Sequence, residues 1–166
     1  MFNLHSLFKK ISVGHLDSHR HIHMIPALFA AALQCQKKYN IPHIRIINEN
    51  MVRTIRSTPK APYLTDGGLI KYAVLIACFF CNKMLFRTKT KTYFFSILNT
   101  CKITPDKLKK VKVPACYDTI EIAIHPGNPD IDRNSKNIPD QNILSPYRTA
   151  EFKTTMTKEI LNWPMR

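Results

Sequence analysis

Four of the seven histidines fall within nine residues, His15, His19, His21 and His23, in the run from Gly14 to Met24. In an extended backbone successive side chains point to opposite faces. His15, Asp17, His19, His21 and His23 would then share one side of a strand, and Leu16, Ser18, Arg20 and Ile22 the other. One face of the predicted strand is therefore a row of imidazoles with a carboxylate, groups that bind divalent ions and move protons near neutral pH. Geometry limits how many can act together. Neighbours two apart on a strand lie roughly 6.6 Å from one another, whereas metal–ligand bonds are about 2.1 Å long. One or two histidines can hold an ion while the others support them or meet a substrate. Asp17 suits the supporting role, accepting a hydrogen bond from a ring N–H and fixing its tautomer.

The segments that follow alternate strand and helix. Met24-Ile25-Pro26 ends the extended run, and Pro26 starts a helix through about Tyr39, since proline at the first helical position gives up an N–H that would be unpaired anyway. Asn40-Ile41-Pro42 stops that helix. The β-branched run His43 to Ile47 follows, with Asn48, Glu49 and Asn50 at its far end. Strand, helix, strand is the pattern of a parallel sheet, so the expected class is α/β, with polar groups gathering where strands stop. Before the histidine run, residues 3–11 carry a short amphipathic helix. After the second strand, residues 51–66 read as a loop, and Gly67-Gly68 leads into a helix of about 69–86. The apolar run Tyr72 to Phe86 within it falls short of the roughly 20 residues a membrane span requires. It reads as a buried helix, and Cys78 and Cys81 as packed inside it rather than as a redox or zinc pair.

Residues 88–103 are ambiguous, with Tyr93-Phe94-Phe95 available to pack against the ligand face. Thr104-Pro105 opens a brief helix with the threonine as cap, ending before Pro114. Asp118 to Ile124 reads as a buried strand ending in His125-Pro126-Gly127, followed by a polar loop. Ser145-Pro146 opens a final helix that carries Arg148, Glu151 and Phe152 to about Asn162.

The 166 residues suffice for a single domain, residues 1–166. The formal charge of +14 would suit an anionic partner. It is scattered, however, and the basic stretch from Arg87 to Lys112 has no nucleic-acid-reading motif, so solvated surface is expected there and no nucleic-acid partner. Five cysteines without regular spacing and an N-terminus lacking a secretory signal point to a reduced, cytoplasmic chain.

Three separated pieces together resemble one family: His15 to Met24, then Ile41-Pro42-His43-Ile44-Arg45-Ile46 with Glu49, then Glu121 to Gly127 with Arg148 and Glu151. They look like the YdjC-like carbohydrate deacetylases, the group that includes chitooligosaccharide and hopanoid-associated deacetylases. The resemblance implies a metal-dependent hydrolase that removes acetyl from N-acetylated sugars or oligosaccharides on a distorted (β/α) barrel. It implies Mg or Zn as the divalent ion, with His19 as a ligand, and His125 in the pocket as the general acid. Arg148 and Glu151 match a pair with a structural or orienting role, and His15, Asp17, His21, His23, Arg45 and Glu49 fall around the pocket. No other cofactor is implied.

Two departures accompany the resemblance. Arg20 stands where members commonly carry another histidine. Only 14 residues precede His15, where the family has a longer segment bearing paired aspartates and a second ligating histidine, and the chain contains no Asp-Asp pair. The expectation is a C-terminal portion of the barrel, lacking its N-terminal strands and inactive unless a separate N-terminal polypeptide completes it. The alternative is a non-enzymatic, histidine-rich module that binds a divalent metal. Of the remaining residues, His43 reads as packed or surface, and Arg45 either reaches the pocket or pairs with Glu49.

Overall fold

The computed structural model describes residues 13–58, 68–132 and 144–157. The helix expected over 3–11 lies outside them, as do part of the expected 51–66 loop and the end of the last helix. The described elements run in the order β1 (His15–Leu16), a 3-10 segment (His19–Met24), α1 (Pro26–Lys38), β2 (His43–Ile44), α2 (Met51–Ser57), α3 (Gly68–Phe86), β3 (Thr92–Phe95), α4 (Pro105–Lys110), β4 (Thr119–Ile122), α5 (Pro129–Asp132) and α6 (Pro146–Thr155). They gather into two compact units, one made of residues 1–47 and 74–89 and the other of residues 48–73 and 90–166. Each contains one parallel strand pair joined across a helix, the βαβ arrangement expected of an α/β chain.

In the first unit β1 pairs with β2, His15 opposite His43 and Leu16 opposite Ile44. Pro26 is the first residue of α1. The helix ends as a left-handed cap requires. Asn40 has φ 53, the Ile41 N–H donates to the Gln36 carbonyl at 2.9 Å, and the Asn40 N–H donates to that of Lys37 at 3.4 Å. Asparagine tolerates this conformation better than most residues, and Pro42 then prevents the helix from continuing. Met24, Phe29 and Ile47 are fully buried in this unit. The Asn82 amide donates to the Met24 carbonyl at 2.7 Å, and the Phe29 and Phe86 rings lie 5.8 Å apart.

Helix α3 departs from expectation. It was expected to be buried, yet only Leu75 and Asn82 along it are. Ile70, Val74, Phe80 and Met84 are exposed at helical spacing. Among the described residues it is one helix long and apolar enough to cross a membrane, by length and composition alone. A helix that is apolar all round gives no sequence signal of which side is covered. Cys81 is likewise exposed and Cys78 half-buried, and all five cysteines are free thiols.

The second unit is built on β3, whose Tyr93, Phe94 and Phe95 are almost completely buried. This strand resolves the segment that was ambiguous in the sequence. It pairs in parallel with β4, Phe94 opposite Glu121 and Phe95 opposite Ile122, and the connection between them contains α4, started by Pro105 under a Thr104 cap. Ile103 and Leu108 join Tyr93 and Phe95 in a core flanked by Val111, Tyr117, Ile120 and Ile124. The loop expected over 51–66 is helical at its start: Asn50 caps α2 by accepting from the Arg53 N–H at 3.0 Å. Asn50 was read only as a polar strand end, so its capping role was missed.

Asn48 completes the strand. Its Nδ2 donates to the Thr92 carbonyl at 2.9 Å and its Oδ1 accepts from the Phe94 N–H at 2.7 Å, so one side-chain amide serves β3 as a peptide group of a neighbouring strand would. A buried backbone group left without its partner costs about 1–3 kcal/mol. Asn48→Ala should therefore lower the unfolding free energy by about 2–4 kcal/mol, measured by urea denaturation, and a loss below about 0.5 kcal/mol would show that β3 does not need this amide.

Candidate active site

The histidine row does not lie on one strand. Of this run only His15 and Leu16 belong to a strand, and the chain then turns through the 3-10 segment, where Arg20 (φ 55, ψ 20) and His21 (φ 60, ψ 26) are both left-handed. Alternation fails at that point, which corrects the expectation of a shared imidazole face. His15 and His19 are exposed, whereas His21 and His23 are buried.

Ser18 and His23 lock this turn. The Ser18 hydroxyl accepts from the His23 N–H at 2.9 Å and lies 2.7 Å from His23 Nδ1, while Nε2 lies 2.9 Å from the Arg45 carbonyl. A carbonyl can only accept, so Nε2 carries the proton and Nδ1 accepts from Ser18. With both nitrogens engaged, His23 has no lone pair for a metal. Asp17 also differs from its expected part. Its carboxylate pairs with the Arg45 guanidinium, accepts from the Ser18 N–H at 2.6 Å, and lies 3.8 Å from His23 Nδ1, too far for a hydrogen bond from that ring. Arg45 thus pairs with Asp17 and not with Glu49. Among the described residues no three His, Cys, Asp or Glu side chains converge as ligands.

The second unit holds the other expected residues. Glu49 is buried, accepting from the Thr54 hydroxyl at 2.8 Å and from the Ile97 N–H at 2.6 Å. Removal from water raises its carboxyl from 4.5 to about 7, with those hydrogen bonds opposing the shift.

His125, Arg148 and Glu151 come together around the turn after β4. Glu151 is fully buried; one oxygen accepts from the Ile103 N–H at 2.8 Å and the other from the His125 N–H at 2.5 Å. That second oxygen is 3.9 Å from His125 Nδ1, and the imidazole is about one-third exposed. The Gly127 N–H donates to the Arg148 carbonyl at 3.3 Å, and a Cβ at position 127 would lie 3.3 Å from Arg148 Cδ. Glycine therefore lets the arginine stem cross the turn. One helix, α6, fixes the backbone of His125 through Glu151 and that of Gly127 through Arg148. Burial also pushes the Glu151 carboxyl up, opposed by the Ile103 and His125 N–H groups and the charge of Arg148.

A family model described as YdjC-like protein matches residues 8–164. The chain belongs to the YdjC-like family. The match spans both the histidine turn and the His125–Glu151 cluster, so this YdjC-like chain is matched in both of its units. No curated protein and no solved structure matches it.

Glu49 makes stability depend on pH. A carboxyl raised on folding favours the folded state in full below its unfolded value of 4.5, and that contribution is lost as pH rises through about 7. The unfolding free energy should fall by about 3 kcal/mol between pH 4.5 and about pH 8, with Glu151 acting in the same direction. Denaturant titrations across this range should show the slope in the native chain and most of it gone in Glu49→Gln. A flat native profile would contradict the assignment.

Proposed function

We propose that the chain is a hydrolase of the carbohydrate deacetylase type, removing acetyl from N-acetylated sugars, with His125 delivering the proton to the leaving amine. The observation that carries this reading is the anchored His125 turn. Amide hydrolysis expels a poor leaving group unless its nitrogen is protonated, and an imidazole is suited to that transfer near neutral pH. The backbone of His125 is tied to a buried carboxylate while its ring remains partly exposed, as a group that must meet a substrate requires. Glu151 has no access to substrate and acts through His125, as a positioning residue.

The divalent ion implied by the resemblance, Mg or Zn with His19 as a ligand, does not fit the described donors. His19 is exposed on a turn whose neighbour His23 has both ring nitrogens committed. The alternative, a non-enzymatic histidine-rich metal module built from His15, His19, His21 and His23, loses His23 as a donor by the same commitment. The proposal therefore rests on the acid side of the reaction.

Acetate release from N-acetylglucosamine oligomers, assayed with added Mg or Zn, tests it. His125→Gln should lower kcat by about 100-fold or more while the far-ultraviolet circular dichroism stays that of the native chain. Glu151→Gln should lower kcat with KM unchanged. Equal rates for the native chain and His125→Gln would remove His125 from the chemistry.

A further inference from the structure

A cationic cleft lies in the second unit, and none of His125, Arg148 and Glu151 lines it. Helices α2 and α4 border a cleft of about 920 Å³ lined by Arg53 and Arg56 from α2, by Lys109 and Lys110 from the last turn of α4, and by Lys112 just beyond it. Arg53 and Arg56 are three apart and so share one helix face. Among the described residues that line the cleft none is acidic.

The plainest account of such cations is that they balance helix ends, because lysine and arginine favour the negative C-terminal end of a helix dipole. Each end carries only about half an elementary charge, whereas five cationic side chains line this one cleft. The volume is that of an ordinary small-molecule pocket, about 300–1,000 Å³. Among the described residues no aromatic ring lines it, so none of them stacks on a nucleobase, and the aliphatic side chain among them is Val52. Guanidinium groups match phosphate or sulfate oxygens in pairs, and ammonium groups add point charge.

We infer that this cleft binds a compact ligand carrying several clustered oxyanions, phosphate or sulfate esters on a small polar body. Calorimetric titration of the full chain at about 150 mM salt tests it, with inorganic tripolyphosphate in one arm and a heparin-derived tetrasaccharide in the other. Tighter binding of tripolyphosphate assigns the site to phosphates; tighter binding of the tetrasaccharide assigns it to sulfated sugars. Either affinity should drop about tenfold or more in Arg53→Gln/Lys110→Gln and change less than about twofold in Arg87→Gln/Lys89→Gln, which removes the same charge elsewhere. Equal losses in both variants would reduce the effect to the general field of a cationic chain and overturn the site. So would binding of neither probe, or tighter binding of a uridine oligomer than of both probes.

Discussion

Buried backbone amides need acceptors, and a two-stranded sheet cannot supply enough of them. Strand β3 sits in an apolar core and, among the described residues, has a strand partner on one edge. Asn48 serves Thr92 and Phe94 on that strand, and Glu49 takes the N–H of Ile97 just after it. Glu151 does the same for Ile103 and His125. Three side chains thus do for these strands and turns what a neighbouring main chain does elsewhere in a sheet. The price is two carboxyls held out of water, and it is why both sit above the usual carboxylate range.

The same device organises the candidate site. Glu151 links the loop after β3 to the turn after β4, so the position of His125 is set by the packing of α6 and not by its own loop. Gly127 and Arg148 add a second tie two residues further on. An acid group held at its backbone while its ring stays accessible loses little orientational freedom when a substrate arrives.

Where local chemistry decides structure, it could be read directly. Pro26, Pro105 and Pro146 open helices as expected, with Thr104 and Ser145 as caps, and the strand–helix–strand order marks the first parallel pair, though not the second, whose β3 lies in an ambiguous stretch. The histidine turn could not be read, because alternation places side chains only where the backbone is extended, and two left-handed residues break it. Helix α3 was misjudged for a related reason: a helix without a polar face does not announce which side is covered. Glu49 and Glu151 stand out by resemblance, but their service to backbone amides depends on partners 26 to 48 positions away, a separation that no local pattern records.

Arg20 and His21 occupy a backbone region that glycine enters without steric cost, while other residues lose about 1 kcal/mol or more each. His21 sits inside the unit, where its ring fills space; Arg20 is on the surface. Position 20 is therefore the most direct place to seek a more heat-tolerant version of this protein, by a single exchange that leaves the packed interior untouched.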